Sequence, residues 1–251
     1  MIKISQAVIF AGGRGERLRP LTDNMPKPMA PVCGRPFLDY LLFSLVDAGI
    51  KKILILVGYR ADVIMNHYGN GANYDLFIDY SVGQIEDLTG RRLLNAYNKL
   101  DDHFLLLYGD NYWPVPLKDM VANYERLGVP VTTTVFSNKN GTGEYGFENN
   151  AIVTDKKMIK VYDKSRCLQN LNGLDIGYFI VNKNILNPNE LGNISFEEKI
   201  ITRLVDKCSL GAFLTDEQYY YVTSLESLTR FEGVVCSKGI PHLRRRVLDE
   251  F

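Results

Sequence analysis

The sequence predicts an α/β fold: a Rossmann-like, open sheet, mixed but mostly parallel, flanked by helices and continued by a β-rich second half. Three observations carry that expectation. Short apolar runs end at glycine, amphipathic stretches separate them, and the runs crowd together after about Val129. The first run, residues 7–10 (AVIF), stops just before Gly12 and Gly13. Residues 52–57 (KILILV) end at Gly58, and residues 104–108 (FLLLY) end at Gly109-Asp110. A run that is apolar at every position suits a strand covered on both faces, as in a parallel sheet. Between the runs, helices are expected over residues 37–48, 60–68 and 91–99. In the first of these, Phe37, Leu41, Leu45 and Ala48 recur at spacings of four and three and make one apolar face, with Gly49 as its stop. Strands alternating with helices imply right-handed crossovers.

The second half reads as strands over residues 131–136, 147–154, 158–163 and 175–181, separated by turn residues such as Asp155-Lys156-Lys157. No Pro/Ser-rich linker divides the halves, so residues 1–232 read as one domain with halves 1–128 and 129–232. Residues 233–251 read as a tail whose Arg244, Arg245 and Arg246 form a solvated basic face. Tyr219–Tyr221 reads as a strand with alternating faces, and Tyr112 and Trp113 as core or lid packing.

The 251 residues carry 29 Lys+Arg against 29 Asp+Glu, so the net charge is zero and no bulk nucleic-acid affinity is expected. A hydrophobic fraction of 46% with 23% charged residues excludes wholesale disorder. No apolar run reaches the ~18 residues of a membrane span, and the N-terminus lacks a signal-peptide pattern. Cys33, Cys167, Cys208 and Cys236 lie far apart and form no CxxC pair. Reduced thiols and a cytoplasmic setting follow, with Cys33 as a small buried hydrophobe.

Residues 11–29, AGGRGERLRPLTDNMPKPM, are the most informative stretch. Gly12, Gly13 and Gly15 let the backbone turn tightly and approach a bound group. Successive N–H groups in such a turn can cradle an anion. Arg14, Arg17, Arg19 and Lys27 place four cations within 14 positions, and Pro20, Pro26 and Pro28 stiffen the return. A glycine-rich turn with this charge, at the carboxyl end of a first buried strand, suits a polyphosphate. Two common alternatives fail on spacing. There is no Gly-Lys-Ser/Thr for a Walker A loop, and Gly13-Arg14-Gly15 lacks the third glycine of a dinucleotide fingerprint. Taken singly, Arg14 and Arg19 read equally well as surface charges, and a helix cap is the lesser reading of Asp110.

The combined loop resembles that of the sugar-1-phosphate nucleotidylyltransferases, of the NTP-transferase type with a GT-A-like fold. Residues 32–40 (VCGRPFLDY), Tyr108-Gly109-Asp110, Glu144-Tyr145-Gly146-Phe147, Asp163-Lys164-Ser165 and residues 174–178 (LDIGY) are similar to further motifs of that family. The resemblance covers roughly residues 5–230 and is nearest to the mannose- and heptose-1-phosphate guanylyltransferases. It implies transfer of a nucleotidyl group from an NTP to a sugar 1-phosphate, giving an NDP-sugar for polysaccharide assembly. It makes residues 1–128 the nucleotide-binding half and 129–232 the sugar-phosphate-binding half. Arg17, Lys27 and Asp110 are the implied catalytic residues, with Asp110 ligating Mg²⁺. Ala11, Gly12, Gly13, Arg14, Gly15, Gln84 and Gly90 would line the nucleotide. Tyr145, Gly146, Lys164 and Asp175, or Glu148, would face the acceptor. No nucleic acid or membrane partner is implied, and because the family often forms dimers a homo-oligomer stays open. Asp175 reads as readily as a buried hydrogen-bonded carboxylate. None of His67, His103 and His242 stands beside a nucleophile, and none is needed, since a phosphate monoester has a second pKa of ~6.

Two departures from the family pattern bear on chemistry. Where a Leu-Gly-Thr-x-Gly stretch is usual, this chain has Asp87-Leu88-Thr89-Gly90-Arg91-Arg92, so Gln84 or Arg91 is a candidate base contact. Where a second metal-binding Asp is usual, it has Tyr221. Phosphates and water could complete the metal shell, Asp175 could substitute, or turnover could be lost. The alternatives are a cytidylyltransferase for a small non-sugar phosphate and a nucleotide-sugar-binding regulatory subunit.

Overall fold

The structure, a computed structural model, describes residues 2–238. Its first half runs β1 (Gln6–Ala11), the short hairpin β2 (Pro31–Val32) and β3 (Arg35–Pro36), α1 (Phe37–Asp47), β4 (Lys52–Val57), α2 (Ala61–Tyr68), β5 (Phe77–Val82), α3 (Thr89–Asn95) and β6 (His103–Tyr108). The second half continues with β7 (Asn111–Tyr112), α4 (Leu117–Leu127), β8 (Val131–Phe136), β9 (Ala151–Val153), β10 (Ile159–Tyr162) and β11 (Leu174–Asn182). A π-helical segment (Phe196–Ile201) leads into α5 (Thr202–Asp206), β12 (Leu210–Thr215), β13 (Tyr220–Tyr221) and α6 (Leu225–Lys238).

Seven strands form one sheet in the order β12-β8-β11-β6-β1-β4-β5. β6, β1, β4 and β5 are mutually parallel, as are β8 and β12, and β11 alone runs antiparallel to its neighbours β6 and β8. The expected mixed, mostly parallel α/β sheet is therefore what forms. Its central strands β1, β4 and β6 carry apolar residues on both faces because each side faces a separate core. Ala7, Ile9 and Ala11 of β1, with Ile53, Ile55 and Val57 of β4, enter one cluster. Val8 and Phe10, with Leu54 and Leu56, enter the other. Each fully buried Val, Leu, Ile or Phe among them contributes about 1.5–3 kcal/mol.

Helix α1 ends where the sequence indicated. Gly49 sits at φ +83°, and the N–H groups of Gly49 and Ile50 donate to Val46 and Leu45 at 2.9 Å. Only a residue without Cβ takes that left-handed turn cheaply. Elsewhere the boundaries move. The helix expected over 91–99 begins at Thr89 and breaks at Ala96, and residues 147–150 are a loop. The Asn138 side chain holds that loop by donating to the carbonyls of Gly146 and Glu148. β5, α4 and β12 were not expected. β5 and β12 are edge strands with exposed Phe77 and Leu214, so neither reads as a buried apolar run.

Helix α6 runs through the expected tail boundary at 233, because Phe231 and Val235 are buried on the same side. The Phe231 ring packs on Phe37, Tyr40 and Tyr112. Tyr112 and Trp113 are core residues, as expected. The end of α6 corrects the reduced-thiol reading: Cys33 and Cys236 form a disulfide, with Cα atoms 6.7 Å apart, while Cys167 and Cys208 are free. The 203-residue separation hid the pair, which only the docking of α6 on the β2–β3 turn brings together. Arg244, Arg245 and Arg246 lie outside the described residues. Among those described, no helix is long and apolar enough to cross a membrane.

Candidate active site

The carboxyl ends of β1, β4 and β6 lie side by side, so the segments that follow them share one edge of the sheet. At that edge opens a cleft of about 730 Å³. A second hollow of about 610 Å³, between α1 and β12, is lined by Asp47, Asp216 and Glu217. Size does not decide between them; convergent cations do. Arg14, Arg17, Lys27, Arg92 and Lys164 all line the first.

The glycine-rich turn is folded onto its own return segment. Gly15 takes φ +64°, and a Cβ there would lie 2.8 Å from the Lys27 Cβ. The close approach is what sets Lys27 beside the turn. Buried Leu18, Thr22 and Met29 anchor the loop, with Thr22 Oγ1 donating to the Gly15 carbonyl at 2.9 Å. Tyr59 clamps it from β4's end: its N–H donates to the Gly12 carbonyl, and its hydroxyl to those of Thr22 and Asp23.

Lys27 pairs with Asp110 in the cleft, with Nζ 2.5 Å from Oδ2. Asp110 follows Gly109, whose N–H donates to the Phe10 carbonyl, and the Asp110 carbonyl accepts from Val222. Asp110 is therefore fixed by β1 and by the β13 segment rather than capping a helix. Arg17 lies 3.2 Å from Glu144 Oε1 and 3.2 Å from the Tyr145 hydroxyl. Partial burial works against its charge, but those two partners outweigh it and raise its pKa. Lys164 leans on Glu198 at 3.3 Å and stands 3.9 Å from Glu197.

Nine expected residues meet in this cleft: Ala11, Gly12, Gly13, Arg14, Gly15, Arg17, Lys27, Asp110 and Lys164. Tyr145 and Gly146 line an adjoining hollow of about 400 Å³ that shares Arg17 and Thr223 with it. Gln84 is exposed beside it, on the loop after β5. Gly90 does not line the cleft. It packs against the second half, where a Cβ would come 2.9 Å from the Ile194 carbonyl. Asp175 also stays outside. Its carboxylate accepts from Thr133 at 2.6 Å, Tyr162 at 3.0 Å and the Gly177 N–H at 3.0 Å. Burial raises its pKa against the pull of those donors. The buried, hydrogen-bonded reading is the one realised, and Asp175 cannot stand in as a metal ligand. Glu148 is exposed and lines neither the cleft nor the adjoining hollow.

Arg91, one of the two candidate base contacts, turns away and donates to the Gly192 and Glu190 carbonyls. Arg92 takes the inward place. Helix phase accounts for it: Arg92 lies four residues before buried Ala96, on the side of α3 that tertiary contacts cover, and Arg91 does not. Glu197 was also missed. It is buried on the cleft wall, accepting from Thr89 and Ser195, and desolvation raises its pKa. Tyr221 pairs in register with Asn111, next to Asp110. Its hydroxyl accepts from Arg230 at 3.3 Å. Among the described residues no group of three or more His, Cys, Asp or Glu could hold a metal ion. Asp110 fits a hard cation that brings its remaining oxygens from phosphate and water, and does not fit an all-protein cage.

Residues 6–164 match the profile described as nucleotidyl transferase. The D-glycero-alpha-D-manno-heptose 1-phosphate guanylyltransferase of Aneurinibacillus thermoaerophilus is 28% identical over 217 residues, covering 85% of this chain and 91% of that protein. The UTP–glucose-1-phosphate uridylyltransferase AglF of Haloferax volcanii is 37% identical over 116 residues, covering 46% of this chain and 47% of its own. A crystal structure of HddC from Yersinia pseudotuberculosis complexed with GMP-PN matches 90% of this chain and 97% of that one, with a TM-score of 0.74 at 22% identity. That likeness is one of fold.

Proposed function

This chain belongs to the nucleotidyl transferase family, and from that premise we propose that it joins GTP to a heptose or mannose 1-phosphate, releasing pyrophosphate. An acceptor phosphate oxygen attacks the α-phosphorus, the bond to the β-phosphate bridge breaks, and its electron pair leaves with pyrophosphate. The acceptor is already mostly dianionic at neutral pH. The obstacle is the approach of one anion to another, which calls for positioning and charge neutralisation rather than a base.

The observation that carries this reading is the Lys27–Asp110 pair beside the glycine-rich turn, with Lys164 lining the same cleft. Gly12, Gly13 and Gly15 would present backbone N–H groups to the triphosphate, with Arg14 at its edge. Arg17 and Lys27 would stabilise charge at the α-phosphorus. Lys164 would take the acceptor phosphate, and Tyr145 and Gly146 the sugar. Asp110 would hold Mg²⁺, which supplies charge neutralisation on the triphosphate. The guanylyl and heptose details rest on the Aneurinibacillus relative. An NTP and a phosphorylated sugar are cytoplasmic pools, and we place the reaction there.

Four NTPs crossed with a panel of sugar 1-phosphates and small phosphorylated metabolites, read by pyrophosphate release, test the assignment. GTP with heptose or mannose 1-phosphate should give the highest rate. A faster rate with CTP and a non-sugar phosphate would overturn it. Tyr221 beside Asp110 favours one second reading, a nucleotide-sugar-binding subunit without turnover. Tight NDP-sugar binding by calorimetry, with no pyrophosphate from any pair, would select that reading.

A further inference from the structure

Three glycines at the strand ends share one property. Gly12 follows β1, Gly58 follows β4 and Gly83 follows β5, and none of them has a positive φ. Their backbone conformations are open to any residue. At Gly12 and Gly58 the Arg92 guanidinium stands where a side chain would go; at Gly83 the Asp87 carboxylate does, with the guanidinium beside it. A Cβ on Gly12 would lie 2.3 Å from the guanidinium's central carbon, and one on Gly58 2.5 Å from Nη1. One on Gly83 would lie 3.1 Å from Nη1 and 2.7 Å from the Asp87 carboxylate.

The group seated in this socket is a cation that is only 5% exposed. Nη1 donates to the Val57 carbonyl at 3.0 Å. Nη2 donates to those of Gly12 at 3.1 Å, Gln84 at 2.9 Å and Ile85 at 3.2 Å. No carboxylate of the described residues forms a direct ion pair with it, and burial lowers its pKa against the more distant pull of Asp87 and Glu86. A buried guanidinium held by carbonyls alone is expensive unless every bond is made. Its partners belong to the ends of three adjacent parallel strands, and two of those segments are the walls of the cleft. The glycine-rich turn is one wall; the loop that carries Gln84 and Ile85 is the other.

We propose that Arg92 is a positioning residue for the nucleotide: it locks the glycine-rich turn to the Gln84–Ile85 loop and so fixes the gap that selects the base. The idea rests on the nucleotidyl-transfer reading and adds a specificity determinant to it. Loss of the guanidinium leaves a glycine-lined void and frees both walls. Nucleotide binding and the discrimination between bases should then suffer more than the chemical step.

Arg92→Ala and Arg92→Lys, with Arg91→Ala as the neighbouring control, should be compared with wild type. The readouts are NTP affinity by calorimetry, and KM and kcat for each NTP. In Arg92→Ala, KM for the preferred NTP should rise at least about tenfold while kcat changes less than about threefold. The preference over the second NTP should narrow, and millimolar guanidinium ion should restore affinity by refilling the socket. Arg92→Lys, which keeps the charge but not the fork, should show the same loss without rescue. Arg91→Ala should leave NTP affinity unchanged. Folded Arg92 variants with wild-type affinity and selectivity overturn the proposal. A lowered Tm with unaltered selectivity and no guanidinium rescue overturns it equally, because that is what a purely structural arginine would give. If Arg92→Ala does not fold, Arg92→Lys decides alone. A wild type that releases no pyrophosphate with any pair sinks the transfer reading, and the calorimetric comparison still judges Arg92.

Discussion

At the glycine-rich end of the cleft the charged groups are held fast: Lys27 is 13% exposed and bonded to Asp110, and Arg92 is enclosed by four carbonyls. At the end built by the second half, Lys164 is 55% exposed against Glu198, and Arg17 is 61% exposed against Glu144. Exposed pairs of that kind contribute about 0.2–1 kcal/mol and exchange readily for a better anion. Buried ones do not, since removing one partner strands the other. One end is therefore preorganised before any ligand arrives, and the other re-pairs when a phosphate displaces its carboxylates. Charge stabilisation that needs no reorganisation at the moment of reaction belongs at the first end, with Lys27, whereas Arg17 would join it only after leaving Glu144.

Four substitutions would break or sharpen this contrast. Lys27→Ala removes a preorganised donor and should lower kcat/KM by about 10²–10³-fold, equivalent to about 2.7–4 kcal/mol, with far-UV circular dichroism unchanged. Normal turnover would place the fixed end outside the reaction. Asp175→Asn comes next, and acts on stability. Replacing a carboxylate that accepts three donors should cost about 2 kcal/mol in denaturant unfolding. The acceptor KM should not move, because the side chain stands outside the cleft. Lys164→Ala should raise the acceptor KM about tenfold, about 1.4 kcal/mol, and leave the NTP KM nearly alone. An equal rise in both would erase the distinction between the two ends.

The smallest effect concerns Glu197. Burial holds its carboxyl above the usual range, so the native state grips the proton more tightly than the unfolded chain does. Its contribution to stability is complete below the unfolded value near ~4.3 and is lost as pH rises through the higher folded value. Glu197→Gln cannot ionise and escapes that loss. The Tm of the variant relative to wild type should therefore climb by a few degrees between about pH 4 and 7. A flat or falling difference would show that Glu197 is not penalised by burial.

Much of the architecture was legible because the central strands are covered on both faces. β1, β4, β6 and β8 read directly as unbroken apolar or β-branched runs. The edge strands β5 and β12 did not, since a strand with one open side mixes Phe77 with Asp79 and blurs the pattern. Within the site, the loop from Ala11 to Met29 announced itself, because its residues are neighbours in sequence as well as in space. Asp175 read equally as a ligand and as a buried carboxylate, and the sheet decided for the second by bringing Thr133 and Tyr162 to its oxygens. Arg91 and Arg92 could be told apart only by helix phase, and the Cys33–Cys236 link only by the docking of α6.

The order of residues by itself determined where the chain must turn, which runs must be buried, and that four cations cluster after the first strand. These follow from local sterics, apolar periodicity and short-range spacing. Only the tertiary structure decided which of those cations share a cleft with Asp110 and Lys164, and which arginine of the pair at 91 and 92 faces inward. Such outcomes depend on the phase of a helix and the register of strands brought together from distant segments, and local sequence carries neither.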